Sequence, residues 1–313
     1  SEPRHRDPNV NSVNREPMRS SFIVYPSANQ AVTGSCYRKS PNYKSIEGDW
    51  KFAWFNHMTD PRPAEFYSPK YDDAAWGTMP VPGLWELNGY GDPVYLNIGY
   101  AWDNTFIDNP PHVPTHRNHV GLYRNYIDVP AEWRGKEVFV HIGSATSNLA
   151  MWINGKRVGY SEDSKLEAEF DITKYVKAGE KNLFAMEVHR FCDGSYLEDQ
   201  DFWRLSGIAR AAYIYARDKR HLKDVKFVAE LAHEYKDGHL DVNVETTPGV
   251  KKVNLVLRDA EGKEVLTASA APDKAGKVEE CLHLHDVKAW SAECPNLYTL
   301  TVEASDGANT IEA

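Results

Sequence analysis

Asn154 and Gly155 stand between two runs of alternating apolar and polar residues, LAMWI and KRVGY. A two-residue reversal with positive φ at both central positions accepts that pair best, so residues 149–160 read as a β-hairpin. Strand patterns recur along the chain. GDWKFAWF sets Trp50, Phe52 and Trp54 against Lys51 and Ala53, a period of two. GLYRNYIDV (121–129), EVFVHIG (137–143), NLFAMEVHRF (182–191) and ARAAYIYARD (209–218) follow, and no segment of comparable length carries a helical stripe. Many short strands joined by long turns predict an all-β chain built as a β-sandwich.

A chain of 313 residues is long enough for two domains. Residues 1–35, with prolines at 3, 8, 17 and 26 and no sustained period, read as an extended arm. The first sandwich spans 36–218 and contains a connector from Pro80 to Pro114 rich in aromatics, Pro and Gly. Connectors of that length are usually functional. The charged stretch DKRHLKD then marks a boundary. DVKFVAEL, HLDVNVET, KVNLVLRD, EVLTASA, KVEECLHLHDV and NLYTLTVEAS, with turns expected at Asp237-Gly238 and Glu261-Gly262, make 219–313 an immunoglobulin-like sandwich with the character of a spacer.

Composition narrows the function. Thirty-six basic and 45 acidic residues give a net charge of -9 with interleaved signs. A nucleic-acid partner would need a concentrated basic face, which is not evident. No run approaches the roughly 18 apolar residues of a membrane span, so a soluble chain without a membrane partner is expected. The first residue is Ser1 rather than Met, which leaves cytoplasm and periplasm equally open. Cys36, Cys192, Cys281 and Cys294 show no C-x-x-C spacing and are expected to be mostly buried free thiols, with Cys281–Cys294 the only pairing close in sequence. Aromatics make up 12% of the residues. Much of that suits a half-buried pleated surface, but aromatics beside Asn, Asp and Arg also hold sugars, whose C–H faces stack on rings.

One loop concentrates chemistry: Asp193-Gly-Ser-Tyr-Leu-Glu-Asp-Gln-Asp201-Phe-Trp-Arg-Leu-Ser-Gly207 carries four carboxylates, one Arg, Phe202 and Trp203 between two strands. Gly194 directly after Asp193 fails the calcium-loop template, which wants Gly at its sixth position. Two of these carboxylates would serve as a glycosidase acid and base only about 5–10 Å apart across a scissile bond, and no barrel mouth accompanies them. Of the histidines, His112, His116 and His119 fall among prolines, where Pro110, Pro111 and Pro114 forbid the helix that zinc ligation by His112 and His116 would need. His283 and His285 read as alternating along a strand. No G-x-S-x-G elbow and no glycine-rich phosphate loop occurs.

The blocks IEGDWKFAWF, VPGLWELNGYGDPVYLNIGYAW, PPHVPTHRNHVGLYR, GYSEDSKLEAEFDIT, DGSYLEDQDFWRLSGIAR and AWSAECPNLYTL, in this order, resemble the N-terminal third of the large bacterial β-galactosidases of glycoside hydrolase family 2. The resemblance runs from about Asp7 to the last residue. It implies a jelly-roll sugar-binding domain, then an immunoglobulin-like domain, then a catalytic (β/α)8 barrel that is absent from this chain. It further implies hydrolysis of terminal β-D-galactosides such as lactose with retention. The family's catalytic acid/base glutamate follows an asparagine, and these residues contain no Asn-Glu dipeptide, so no catalytic residue is expected here.

By the same resemblance the first domain lends a wall to the galactose pocket. Asn97, in YLNIGY, matches an asparagine that hydrogen-bonds the galactosyl hydroxyls. Asp201, in EDQDFW, matches an aspartate that ligates sodium and accepts a hydrogen bond from the sugar; without the barrel's ligands little sodium binding is expected. Tyr95 either supports this pair or belongs to the core. A structural magnesium is implied between arm and domain, with Asp193 as one ligand and Glu162 where the family can have glutamine. The acidic arm ligand is not clearly reproduced, and no cofactor is expected to bind this segment tightly. Arm residues of the family pack on neighbouring subunits of a homo-oligomer. The reading from a different class is a free-standing, lectin-like galactose-binding module.

Overall fold

The computed structural model describes residues 4–33, 36–102 and 105–313. The chain forms two compact units, residues up to Met18 with Tyr43–Ala216, and Arg19–Asn42 with Arg217–Ala313. Both are β-sandwiches.

In the first unit the strands are β1 (Ser12–Val13), β2 (Tyr43–Ser45), β3 (Gly48–Phe55), β4 (Gly77–Val81), β5 (Gly83–Leu84), β6 (Val94–Leu96), β7 (Val120–Asp128) and β8 (Glu137–Ile142). They continue as β9 (Ala145–Thr146), β10 (Leu149–Ile153), β11 (Lys156–Ser161), β12 (Ala168–Asp171), β13 (Lys181–His189), β14 (Phe202–Arg204), β15 (Gly207–Ile208) and β16 (Ala212–Arg217). A seven-stranded sheet runs β1-β11-β10-β13-β7-β3-β4, and a four-stranded sheet runs β12-β8-β16-β2. The hairpin expected at Asn154-Gly155 joins β10 to β11, with φ of 51° and 80° at the two turn residues.

The larger sheet buries both faces. Trp50, Phe52, Tyr123, Met151, Phe184 and Met186 point to the core shared with the smaller sheet, where Val140, Ile142, Phe170 and Ile214 meet them. On the opposite face Val120, Leu122, Trp152 and Ala185 are covered by Phe66, helped by Met58, Tyr67 and Trp76 from the connector between β3 and β4. Arg124 of β7 fastens that cover. Its side chain, 1% exposed, pairs through Nε with Asp73 Oδ2 at 2.7 Å. Its Nη atoms donate to the carbonyls of Phe66, of Ser68 at 3.0 Å and of Tyr71 at 3.2 Å. Gly121 lets Trp85 and Phe52 lie against the same strand, since a Cβ there would sit 2.5 Å from the Trp85 ring.

The second unit has β17 (Leu222–Ala232), β18 (Asp237–Thr246), β19 (Lys252–Arg258), β20 (Glu264–Ala270), β21 (Lys277–Leu284), β22 (Thr299–Ser305) and β23 (Thr310–Glu312). They form a three-stranded sheet, β17-β18-β21, and a four-stranded sheet, β20-β19-β22-β23. Val242, Val244, Val253, Leu255, Val278 and Ala304 fill the space between. Arg217 and Glu312 make a buried ion pair, and Glu312 Oε1 also accepts from the Leu222 amide at 2.8 Å.

Several expectations need correction. Residues 4–33 are not one free extended arm: Ser12 and Val13 pair with Ser161 and Tyr160, α1 spans Ala28–Thr33, and Tyr25 exchanges backbone hydrogen bonds with Ala313. Asp237-Gly238 is not a turn but opens β18, because the reversal is made by His233, Glu234 and Tyr235, all at positive φ. Of the cysteines only Cys192 is fully buried; Cys281 and Cys294 are exposed and unbridged. His285 lies in the turn beyond β21, hydrogen-bonded to Asp237 at 3.3 Å.

Removing the Arg124 guanidinium leaves three carbonyls and a carboxylate without their donor. Arg124→Leu is expected to cost about 3–5 kcal/mol in urea unfolding, and Asp73→Asn, which strands the buried guanidinium charge but leaves its three carbonyl partners in place, should cost measurably less. Equal losses would show that the guanidinium is not what holds the cover.

Candidate functional site

The Pro80–Pro114 connector and the acidic loop meet in a two-stranded ladder. β14 pairs antiparallel with β6, matching Phe202 with Leu96, Trp203 with Tyr95 and Arg204 with Val94. Asn97 follows β6 and Asp201 precedes β14, so both flank the same end of the ladder, and both are exposed. Two residues more than a hundred positions apart are therefore neighbours because of backbone pairing. Tyr95 Oη donates to Asp201 Oδ1 at 2.5 Å, and the Tyr95 and Trp203 rings meet edge to face with centroids 5.6 Å apart. The bond to Asp201 raises the Tyr95 phenol above its usual range, so the phenol remains a donor at neutral pH. Tyr95 and Trp203 are each about half exposed. The ladder thus presents an amide, a carboxylate and two rings to solvent.

The four carboxylates of the acidic loop take different roles. Asp193 is buried at the start of a single helical turn, Asp193–Tyr196. Glu198 accepts from the Ser164 amide at 3.0 Å and from the Ser164 hydroxyl. Asp199 pairs with Arg204, whose guanidinium also lies 4.5 Å over the Phe202 ring. Asp201 alone of the four turns outward to the ladder's exposed end. A cavity of about 60 Å3 behind the loop, lined by Trp102, Arg190, Glu198, Asp199 and Phe202 among others, is far below the roughly 300 Å3 of small-molecule pockets. It cannot enclose a sugar.

A second group lies under the loop. Glu162, Cys192 and Asp193 are all buried, with ligand atoms within 4.8 Å of one another. Tyr160 Oη donates to Glu162 Oε1 at 2.6 Å. Burial, reinforced by the neighbouring Asp193 charge, pushes the Glu162 carboxyl up to about 8 against the opposing pull of Tyr160. Burial also pushes the Cys192 thiol up, so it keeps its proton. The arm passes here: the Glu162 amide donates to the Asn11 carbonyl at 2.9 Å, and Arg15 binds Asp163 at 3.2 Å.

Residues 43–218 match the model for the sugar-binding domain of the glycosyl hydrolases family 2, and residues 220–313 match a second model of that family. The chain belongs to glycosyl hydrolase family 2. It is 34% identical to a β-galactosidase of Priestia megaterium and 36% identical to one of Halalkalibacterium halodurans, each across 98% of this chain but only 30% of the relative. The chain thus spans less than a third of the length of those relatives. Among solved structures, a Ruminococcus gnavus β-glucuronidase superposes over 87% of this chain and 43% of its own with a TM-score of 0.62 at 20% identity. A Bifidobacterium dentium β-glucuronidase does so over 87% and 47% with a TM-score of 0.66 at 17% identity. Those two establish likeness of fold.

Sequence reasoning singled out Asn97, Asp201, Tyr95, Asp193 and Glu162, and the structure sorts them into two places. Asn97, Tyr95 and Asp201 gather at the exposed ladder, and Glu162 with Asp193 at the buried group. Trp203 stands half exposed beside Tyr95, a placement that only pairing with β6 reveals. Cys192 was not foreseen beside the carboxylates.

The Glu162 carboxyl, ordinarily near 4.5, holds its proton to about 8 in the fold. Its contribution to stability is complete below the lower value and is lost as pH rises to the upper one. In chelator-treated protein, the melting temperature relative to Glu162→Gln should therefore fall between pH 5 and 9. Parallel curves would show that Glu162 ionises normally.

Proposed function

We propose that this chain is the non-catalytic portion of a β-galactosidase, and that its β6–β14 ladder forms one wall of the galactose subsite. The observation that carries the reading is the β6–β14 ladder, which leaves Asn97 and Asp201 exposed at one end beside Tyr95 and Trp203. A galactosyl ring offers hydroxyls that donate to a carboxylate, hydroxyls that accept from an amide, and a C–H face suited to an aromatic. The similarity to whole β-galactosidases along 98% of the chain supports that substrate class. The parent enzyme would hydrolyse terminal β-D-galactosides such as lactose with retention, the acid/base and nucleophile coming from a catalytic barrel outside these residues. A homo-oligomeric parent belongs to the same reading.

Asp201 contributes one oxygen donor set toward sodium, too few to hold a hard cation without ligands from elsewhere in the parent enzyme. For magnesium the residues fit better. Glu162 and Asp193 form a buried carboxylate pair whose mutual repulsion a dication would relieve, and Cys192, a protonated soft donor, would stand aside. Bound there, magnesium would supply charge neutralisation and join the arm to the domain.

Four outcomes are expected. The chain alone should not turn over a chromogenic β-galactoside above a buffer blank; measurable turnover would contradict the reading. In the parent enzyme, Asp201→Asn should lower kcat/KM roughly 10- to 150-fold, the cost of one charge-assisted hydrogen bond of about 1.5–3 kcal/mol, and unchanged kinetics would remove Asp201 from the site. Magnesium should raise the melting temperature of the wild-type chain at pH 8 and not that of Glu162→Gln. Galactose titrated calorimetrically into the chain alone should bind only weakly, and tight saturable binding would favour a self-sufficient sugar-binding module.

A further inference from the structure

On the second unit, three donors meet on the outward face of the β17-β18-β21 sheet. β18 and β21 are paired so that His239 lies opposite His283 and Asp241 opposite Cys281. Alternation sends Leu240, Val242 and Leu282 to the core and the four polar side chains outward. Cys281 Sγ lies 2.9 Å from His239 Nε2 and 3.8 Å from His283 Nε2. The two imidazole centroids are 4.2 Å apart at 87°, and His239 Nε2 is 3.7 Å from Asp241 Oδ1. One thiol and two imidazole nitrogens thus converge within 4.8 Å of one another above the two paired strands, with the Asp241 carboxylate beside His239.

We propose that His239, Cys281 and His283 form three ligands of a tetrahedral site for a borderline-soft divalent metal of the zinc class, the fourth position being left to water or another oxygen donor. With bonds of about 2.3 Å to sulfur and 2.0–2.1 Å to nitrogen, a tetrahedral centre sets its ligand atoms roughly 3.3–3.6 Å apart. The observed 2.9 and 3.8 Å bracket that spacing. Thiolate and imidazole favour zinc, cobalt or copper over magnesium and calcium. The spacing is invisible in sequence because the ligands come in pairs of i and i+2 from strands some 40 positions apart, unlike the short loops of zinc fingers. A thiol–imidazole nucleophile is the competing chemistry for Cys and His. Here the same His239 nitrogen faces both Cys281 and Asp241, so the carboxylate does not orient the ring from its far side as a catalytic arrangement requires.

Binding is a proton exchange. The Cys281 thiol loses one proton to water as the metal–sulfur bond forms. Affinity should accordingly rise with pH, with about one proton released per metal.

The probe is cobalt(II) titrated into the reduced 313-residue chain. One equivalent should develop intense tetrahedral visible bands and a thiolate-to-cobalt charge-transfer band, and zinc(II) should abolish them. Cys281→Ser should eliminate the charge-transfer band. His239→Ala and His283→Ala should each weaken cobalt affinity by at least the roughly 10- to 100-fold that loss of a supporting partner costs. Cys294→Ser, at the other exposed cysteine, should change nothing. If Cys281→Ser shifts the unfolding midpoint of the metal-free chain, the two histidine variants carry the test. Absence of tetrahedral bands, or a charge-transfer band that survives Cys281→Ser and depends on Cys192 or Cys294, would overturn the proposal.

Discussion

The constraint on which the first unit depends is that its central strands are buried on both faces. β7 and β13 present Tyr123, Phe184 and Met186 to one side and Val120, Leu122 and Ala185 to the other. A sheet with two apolar faces must cover both, and the second sheet covers only one. The other cover is made from the connector between β3 and β4, whose turns lack a regular ladder and would leave carbonyls unpaired. The Arg124 guanidinium supplies those donors from within the sheet itself. Its charge is in turn answered by Asp73, so a buried cation is tolerated at a position where a neutral side chain would leave polar groups stranded.

On this base the remaining connector and the acidic loop are free to pair with each other. The β6–β14 ladder needs no apolar core beneath every residue, because its order comes from backbone pairing and from Tyr95 against Trp203 and Asp201. Charge is sorted along the same loop. Asp199 is spent on Arg204, Glu198 on Ser164, and Asp193 is drawn inward beside Glu162, which leaves Asp201 as the carboxylate available to a ligand. Proximity in sequence thus conceals a division between a buried pair with an elevated pKa and an outward group.

Much of the architecture was legible in residues 121–217, since alternation there is strong and Asn154-Gly155 dictates its turn. The turn after β17 was misplaced because Asp237-Gly238 has the usual hairpin chemistry, while the reversal uses three consecutive non-glycine residues at positive φ, for which no composition rule exists. The docking of the arm was missed for a related reason. Ser12–Val13 is a two-residue edge strand whose only cue is its partner β11, far along the chain. At the site, Asn97 and Asp201 emerged by resemblance, and local pattern gave no reason to put them together. Long-range register decides that, as it decides the meeting of His239 with Cys281.

The most direct measurement of the central claim is a crystal structure of the parent enzyme containing this chain, with a slowly hydrolysed galactoside bound. The sugar hydroxyls should lie within hydrogen-bond reach, about 2.5–3.2 Å, of the Asn97 amide and the Asp201 carboxylate. A galactosyl ring seated in the enzyme with neither group in contact would contradict the account.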